Sequence, residues 1–204
     1  MLTIIIVIIT AVVSVIAFSN RTLYFRLLFN AYQIRYDRQY WRFLTYALVH
    51  AGWGHLLINM LVLYSFGANV EAHFTSYFGA TEGAAYFVML YVFGILFSTL
   101  ADYGRYKDDY NYNAVGASGA VNAVLFASIL LAPLSRLIIF PIPVPIPAWI
   151  FGLLYLGYSV YMSKRGADNI GHSAHFWGAL FGLVFTFLLM RKDIITFYTD
   201  LLSR

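Results

Sequence analysis

Residues 114–131 read AVGASGAVNAVLFASILL, eighteen residues without a charge that stop just short of Pro133. At about 1.5 Å per residue such a helix crosses most of a hydrocarbon core about 30 Å thick. Near its start stands Gly116-Ala117-Ser118-Gly119-Ala120, a serine held between residues of almost no bulk. A neighbouring helix or a peptide can therefore approach the hydroxyl closely. Two readings are open at this point. Small-residue runs in membrane proteins pack helices together, and a hydroxyl in such a run can also be a nucleophile.

The rest of the chain fits a membrane setting. Of its 204 residues 61% are hydrophobic and 11% charged, with a mean hydropathy of +0.73. A soluble domain carries roughly twice that charge. No long polar region is present to form a separate water-soluble domain, so residues 1–204 are read as one membrane domain. The absence of cysteine excludes disulfides, thiolate catalysis and sulfur-ligated metals. A net charge of +4 is small for a nucleic-acid binder, and the cations flank apolar segments, which points to lipid headgroups as their partners. There is no His-Glu-x-x-His, and His172-x-x-His175 offers two ligands without a carboxylate nearby on the same helix; neither a metal nor another cofactor is expected.

Outward from residues 114–131, hydropathy predicts five further spans, at about 1–18, 53–70, 84–101, 148–162 and 172–190. The first lacks the basic start and the small-x-small site of a cleaved signal. The expectation is an all-α polytopic membrane protein of six helices. Residues 20–50 mix five arginines with many aromatic rings, a composition suited to the membrane interface. Residues 72–82 read as a polar turn, 102–113 as the most hydrophilic stretch and 191–204 as a polar tail. Pro141, Pro143, Pro145 and Pro147 alternate with apolar residues and predict an extended, polyproline-like connector, with a ligand for a proline-binding module as the other reading. The short fifth span is read as the one held least firmly.

Successive spans enter the second, fourth and sixth from the same face. Ser118, His175, His55 and Asn59 then all lie within roughly 10 Å of that face. Polar side chains inside a bilayer are costly and are usually functional or bonded to one another. His55 and Asn59, four apart, share one helix face. His175, Gly178 and Gly182 share another, and this small-residue stripe matches Gly119, Ala123 and Ala127 on the fourth span. Packing of those stripes would set Ser118 beside His175. Histidine is the side chain best suited to take a serine proton near neutral pH, and His55, Asn59 and the Ser118 backbone N–H could receive the developing oxyanion. The nine acids lie in loops, tail or span ends, so the arrangement would be a Ser-His dyad.

Tyr40-Trp41-Arg42, Leu48-Val49-His50, His55-x-x-x-Asn59, Gly116-Ala117-Ser118-Gly119 and Ala174-His175-x-x-Gly178-x-x-x-Gly182 occur in the order in which the rhomboid family of intramembrane serine proteases carries them. The chain resembles that family over most of its length. The resemblance implies a six-helix rhomboid bundle and a serine endopeptidase that cuts single-span membrane proteins with small residues at the cut. It implies Ser118 as nucleophile, His175 as base and later acid, and His55 and Asn59 as oxyanion donors. A water-filled cavity is implied, gated by the fifth span and capped by Lys164 to Gly171, and structural roles are implied for Trp41, Arg42 and Glu71. It further implies a multi-pass protein of a bacterial inner membrane; the oligomeric state is left open.

There are two departures from the pattern. Many members carry a tyrosine four residues after the serine, stacked on the histidine; here that position is Asn122. Its amide is read either as an orienting partner for the second ring nitrogen of His175 or as a bond to a neighbouring helix. The family's orientation also puts nine cations outside against four inside, opposite to the positive-inside rule. Five of the nine lie in the long interfacial loop, and the family orientation is therefore retained. Two rival readings are weighed. One is a catalytically silent relative that binds transmembrane helices, against which the presence of both Ser118 and His175 speaks. The other is a transporter, which would need ionisable groups beyond the midplane, where these spans are nearly all apolar.

Overall fold

The computed structural model describes residues 1–139, 142–166 and 171–202. The chain is mostly helical: α1 (Leu2–Ser19), α2 (Arg21–Leu27), α3 (Ala31–Tyr36), α4 (Arg42–Thr45), a 3-10 turn (Tyr46–Leu48), α5 (Trp53–Phe78), α6 (Ala80–Tyr106), α7 (Ser118–Leu131), α8 (Ala148–Arg165) and α9 (His172–Leu202). Among the described residues, three of these helices, α1, α6 and α9, are long and apolar enough to cross a membrane alone. A fourth span is added if α5 is counted with the short segment Arg42–Leu48, from which it is bent by 97°.

Every predicted apolar segment is helical, but the ends move. The polar turn read at 72–82 shrinks to Gly79, whose φ of +89° lets α5 pass directly into α6. The start of the stretch read as hydrophilic, residues 102–106, still belongs to α6, and the tail read from residue 191 continues α9 past a break at Met190. Hydropathy sees only the apolar middle of a helix, whereas backbone hydrogen bonding carries on into its polar ends. The fourth segment errs the other way. Gly116 at φ +111° interrupts the backbone, so α7 begins at Ser118 and not at 114.

Of the proline run, Pro141 lies outside the described residues; residues 142–147 are extended, as predicted, but form a strand rather than a lone connector, which corrects the all-α expectation. β2 (Ile142–Pro147) pairs antiparallel with β1 (Arg136–Ile139), with Leu137 opposite Ile146 and Arg136 opposite Pro147. In a two-stranded ladder alternate residues need no inward donor, and that is where a proline is tolerated.

The core is centred on α7, of whose fourteen residues ten are buried. It packs among α5, α6, α8 and α9. A Cβ on Gly178 would overlap the carbonyl of Gly119, and one on Gly182 the carbonyl of Ala123. The two small-residue stripes thus meet backbone to backbone. At the other edge, Glu71 of α5 caps α1: its Oε1 accepts from Leu2 N–H at 2.6 Å, and its Oε2 from Thr3 N–H at 2.9 Å and Thr3 Oγ1 at 2.7 Å. The structural role expected for Glu71 is this capping. Loss of a carboxylate that accepts three bonds at a helix start is expected to cost about 3 kcal/mol in Glu71→Ala, measured by equilibrium unfolding in mixed micelles.

Candidate active site

Ser118 is the first residue of α7, and the loop before it is fastened at three successive points. Phe29 and Ala114 exchange both backbone hydrogen bonds (2.9 and 3.0 Å), Gly116 N–H donates to the Tyr46 carbonyl at 3.0 Å, and Ala117 N–H donates to His50 Nε2 at 3.3 Å. His50 is fully buried; because Nε2 accepts, its proton is on Nδ1, where it donates to Ser14 Oγ at 2.9 Å. Ser14 in turn donates to the Leu48 carbonyl at 2.8 Å. One neutral imidazole therefore joins α1 to the serine loop. Residues 20–50, read as interfacial, include this scaffold. Phe29 and Tyr46 are buried while Tyr36, Tyr40 and Trp41 remain exposed. Arg42, 4% exposed, donates from Nη1 to the carbonyls of Phe25 (2.9 Å) and Leu28 (2.6 Å), which gives the structural role expected of it.

The fastened loop presents its residues to the other predicted groups. Ser118 Oγ lies 2.8 Å from His175 Nε2, one turn into α9, and both side chains are half-buried. The His55 ring lies over Gly116, where a Cβ would fall 2.5 Å from Cε1. Asn59, one turn further along α5, donates from Nδ2 to the His55 carbonyl at 2.8 Å. The structure thus brings Ser118 to His175 and sets His55 against the loop that carries Ser118. His50 takes the Ala117 N–H, and helix geometry leaves the following N–H groups of Ser118 and Gly119 without intrahelical acceptors.

Asn122 is placed differently from the orienting reading. Its Nδ2 donates to the Ser118 carbonyl at 2.8 Å, one turn back along its own helix. The group found at His175 Nδ1 is the hydroxyl of Tyr155 from α8, at 3.3 Å, with the two rings 24° from parallel. The Asn122 amide N–H is spent on its own helix, and the hydroxyl at the imidazole comes from α8. His172 is only 5% exposed and packs edge-on against Tyr158 and His175. Of the expected cap, residues 167–170 lie outside the described residues.

The acids have other work. Asp102 is buried at the end of α6 and accepts from Tyr112 Oη at 3.0 Å. Burial, and then the Asp102 carboxylate beside it, push the Tyr112 phenol far above its usual range, so it stays a proton donor. Asp108 pairs with Arg35 at 2.6 Å, and Glu71 caps α1.

A family model described as the rhomboid domain matches residues 37–192. The chain belongs to the rhomboid family. Among curated relatives, the rhomboid chain is 30% identical over 67% of its length to RHOMBOID-like protein 12, mitochondrial, of Arabidopsis thaliana. It is 27% identical over 77% of its length to the rhomboid protease GlpG of Haemophilus influenzae, and 30% identical over 76% to the putative rhomboid protease YdcA of Bacillus subtilis. It spans 74% and 69% of those two bacterial proteins, but only about two fifths of the Arabidopsis relative and of those from Caenorhabditis elegans and Saccharomyces cerevisiae. With its apolar helices, this rhomboid chain is an integral membrane protein.

Sequence reasoning quoted His50 without a role and passed over Tyr46 and Tyr155. A usable signal was present for His50, a third histidine five residues before His55 beside apolar Leu48 and Val49. Nothing in the sequence singles out Tyr155 among seventeen tyrosines. Because Gly116 combines a positive φ with the His55 ring at its Cβ position, Gly116→Ala is expected to destabilise the rhomboid fold by about 2–3 kcal/mol, read as a lowered thermal midpoint in detergent.

Proposed function

We propose that this protein is an intramembrane serine endopeptidase: a single domain of six transmembrane helices (α1, α5, α6, α7, α8 and α9) that cleaves single-span membrane proteins with a Ser118–His175 dyad. The observation that carries the reading is the 2.8 Å contact between Ser118 Oγ and His175 Nε2 on two helices in backbone contact. In this mechanism His175 Nε2 takes the serine proton as Oγ attacks the scissile carbonyl, and then returns it to the departing amine. Water, activated by the same imidazole, releases the acyl group. His55, Asn59 and the Ser118 N–H receive the oxyanion, and the positive end of the α7 dipole points to the same spot.

Helix length supports access of water. A fourteen-residue α7 is about 21 Å long, some 9 Å less than a hydrocarbon core, so Ser118 at its end stands recessed below the ends of its longer neighbours. A substrate helix must unwind there, because a regular helix hides its carbonyls in its own hydrogen bonds. Placement in a bacterial cell membrane is part of this reading, and the bacterial relatives at 27% and 30% identity speak for it. Of the nine outward cations Arg42 is buried among carbonyls and Arg35 is paired with Asp108, which leaves seven against four, so the outward-facing site is proposed on the family pattern and against the cation count.

The test is cleavage of a tagged single-span substrate in proteoliposomes, with a fluorophosphonate probe. Ser118→Ala is expected to lose both cleavage and labelling, by at least about 10³-fold, and Asn59→Ala to lower kcat by about 10²-fold without changing labelling stoichiometry. Folded wild type that neither cuts a substrate panel nor takes the probe would replace this reading with that of a helix-binding relative.

A further inference from the structure

The Asn122 position leaves His175 without the tyrosine that the family pattern would supply from α7, yet an aromatic hydroxyl still stands at its ring. It comes from α8. We infer that Tyr155 is a positioning residue that holds His175 in the tautomer able to accept the Ser118 proton, and that through it the catalytic base is tied to the position of α8. The inference rests on the dyad proposed above.

The argument is one of hydrogen counting. A neutral imidazole carries one N–H. For Nε2 to accept from Ser118 Oγ, 2.8 Å away, that proton must be on Nδ1. Nδ1–H then needs an acceptor, and the Tyr155 hydroxyl oxygen lies 3.3 Å from it. If Tyr155 instead donated to Nδ1, the proton would move to Nε2 and the base would be lost. The Tyr155 hydroxyl oxygen has a lone pair to offer that N–H, since a phenol accepts as well as donates. The nearly parallel rings, with centroids 6.5 Å apart, fix the imidazole plane as well.

The consequence for α8 follows from its burial. Only Ala148, Gly152 and Ser159 of its eighteen residues are buried, against ten of fourteen in α7, and Leu153, Leu154, Tyr158 and Tyr161 are more than half exposed. The helix is held along that small-residue edge and by Phe151, Tyr155 and Leu156, which pack against the core beside it. Because Tyr155 stands at that edge, displacement of α8 by an incoming chain withdraws the acceptor from Nδ1.

The experiment compares wild type with Tyr155→Phe, which keeps the ring and removes the oxygen. Tyr161→Phe, on the exposed face, is the control. For Tyr155→Phe, proteoliposome kinetics are expected to show kcat lowered about tenfold with KM unchanged, and 15N spectra of labelled histidine a smaller Nδ1–H fraction at His175. Wild-type kcat and tautomer in Tyr155→Phe, with Ser118→Ala inactive, would overturn this inference alone; an active Ser118→Ala would overturn the dyad beneath it. A drop in kcat with no tautomer change also counts against it, since that is what a merely structural tyrosine would give.

Discussion

The contact on which the rest depends is between two backbones. Gly178 and Gly182 of α9 lie on the carbonyls of Gly119 and Ala123 of α7 so closely that no side chain of any kind fits between them. In a lipid environment there is little hydrophobic drive between helices, and what holds them is dispersion gained by close approach. That same approach decides the chemistry. Serine and histidine side chains are short, and hydrogen-bond reach between residues on two helices requires the axes to come nearer than leucine or phenylalanine would permit. Small residues at 119, 178 and 182 are therefore a condition for the 2.8 Å Ser118–His175 distance as well as for folding.

A second constraint is the loop before α7. A serine at the first turn of a helix has its backbone donors free, but it is only as well placed as the chain that leads into it. Here that chain is tied to Phe29, to Tyr46 and to His50, and His50 is tied in turn to Ser14 of α1. The arginine- and aromatic-rich segment between α1 and α5 thus carries the fasteners for the serine loop, with Arg42 gathering its own carbonyls. Helix α1 is held at both ends, by Glu71 near its start and by Ser14 near its finish. Although far from Ser118 in sequence, it reaches the site through a single imidazole.

How much of this was legible beforehand depends on the range of the interaction. Periodicity revealed the apolar segments, since each reflects a local match between helix repeat and environment. The stripes at Gly119, Ala123, Gly178 and Gly182 could be matched because helical spacing makes a face readable from sequence. Helix ends were less legible: Gly79 and Gly116 turn the backbone at points set by φ, and hydropathy carries no information about φ. The proline run was legible as extended, because proline has no other easy option, but not as paired, because the partner strand at 136–139 is ordinary apolar sequence.

By itself the sequence determined the class of solvent, the approximate helices and the level at which Ser118, His175, His55 and Asn59 gather, because composition, period and the alternation of spans are one-dimensional properties. The tertiary structure decided which groups complete the constellation. Asn122 was a candidate for the imidazole and Tyr155 was not, and only the packing of α8 against α7 and α9 assigned Asn122 to the Ser118 carbonyl and Tyr155 to the imidazole. A hydrogen bond between elements requires knowing which faces meet and at what distance, and that is fixed by the sum of all the contacts rather than by any stretch of the chain.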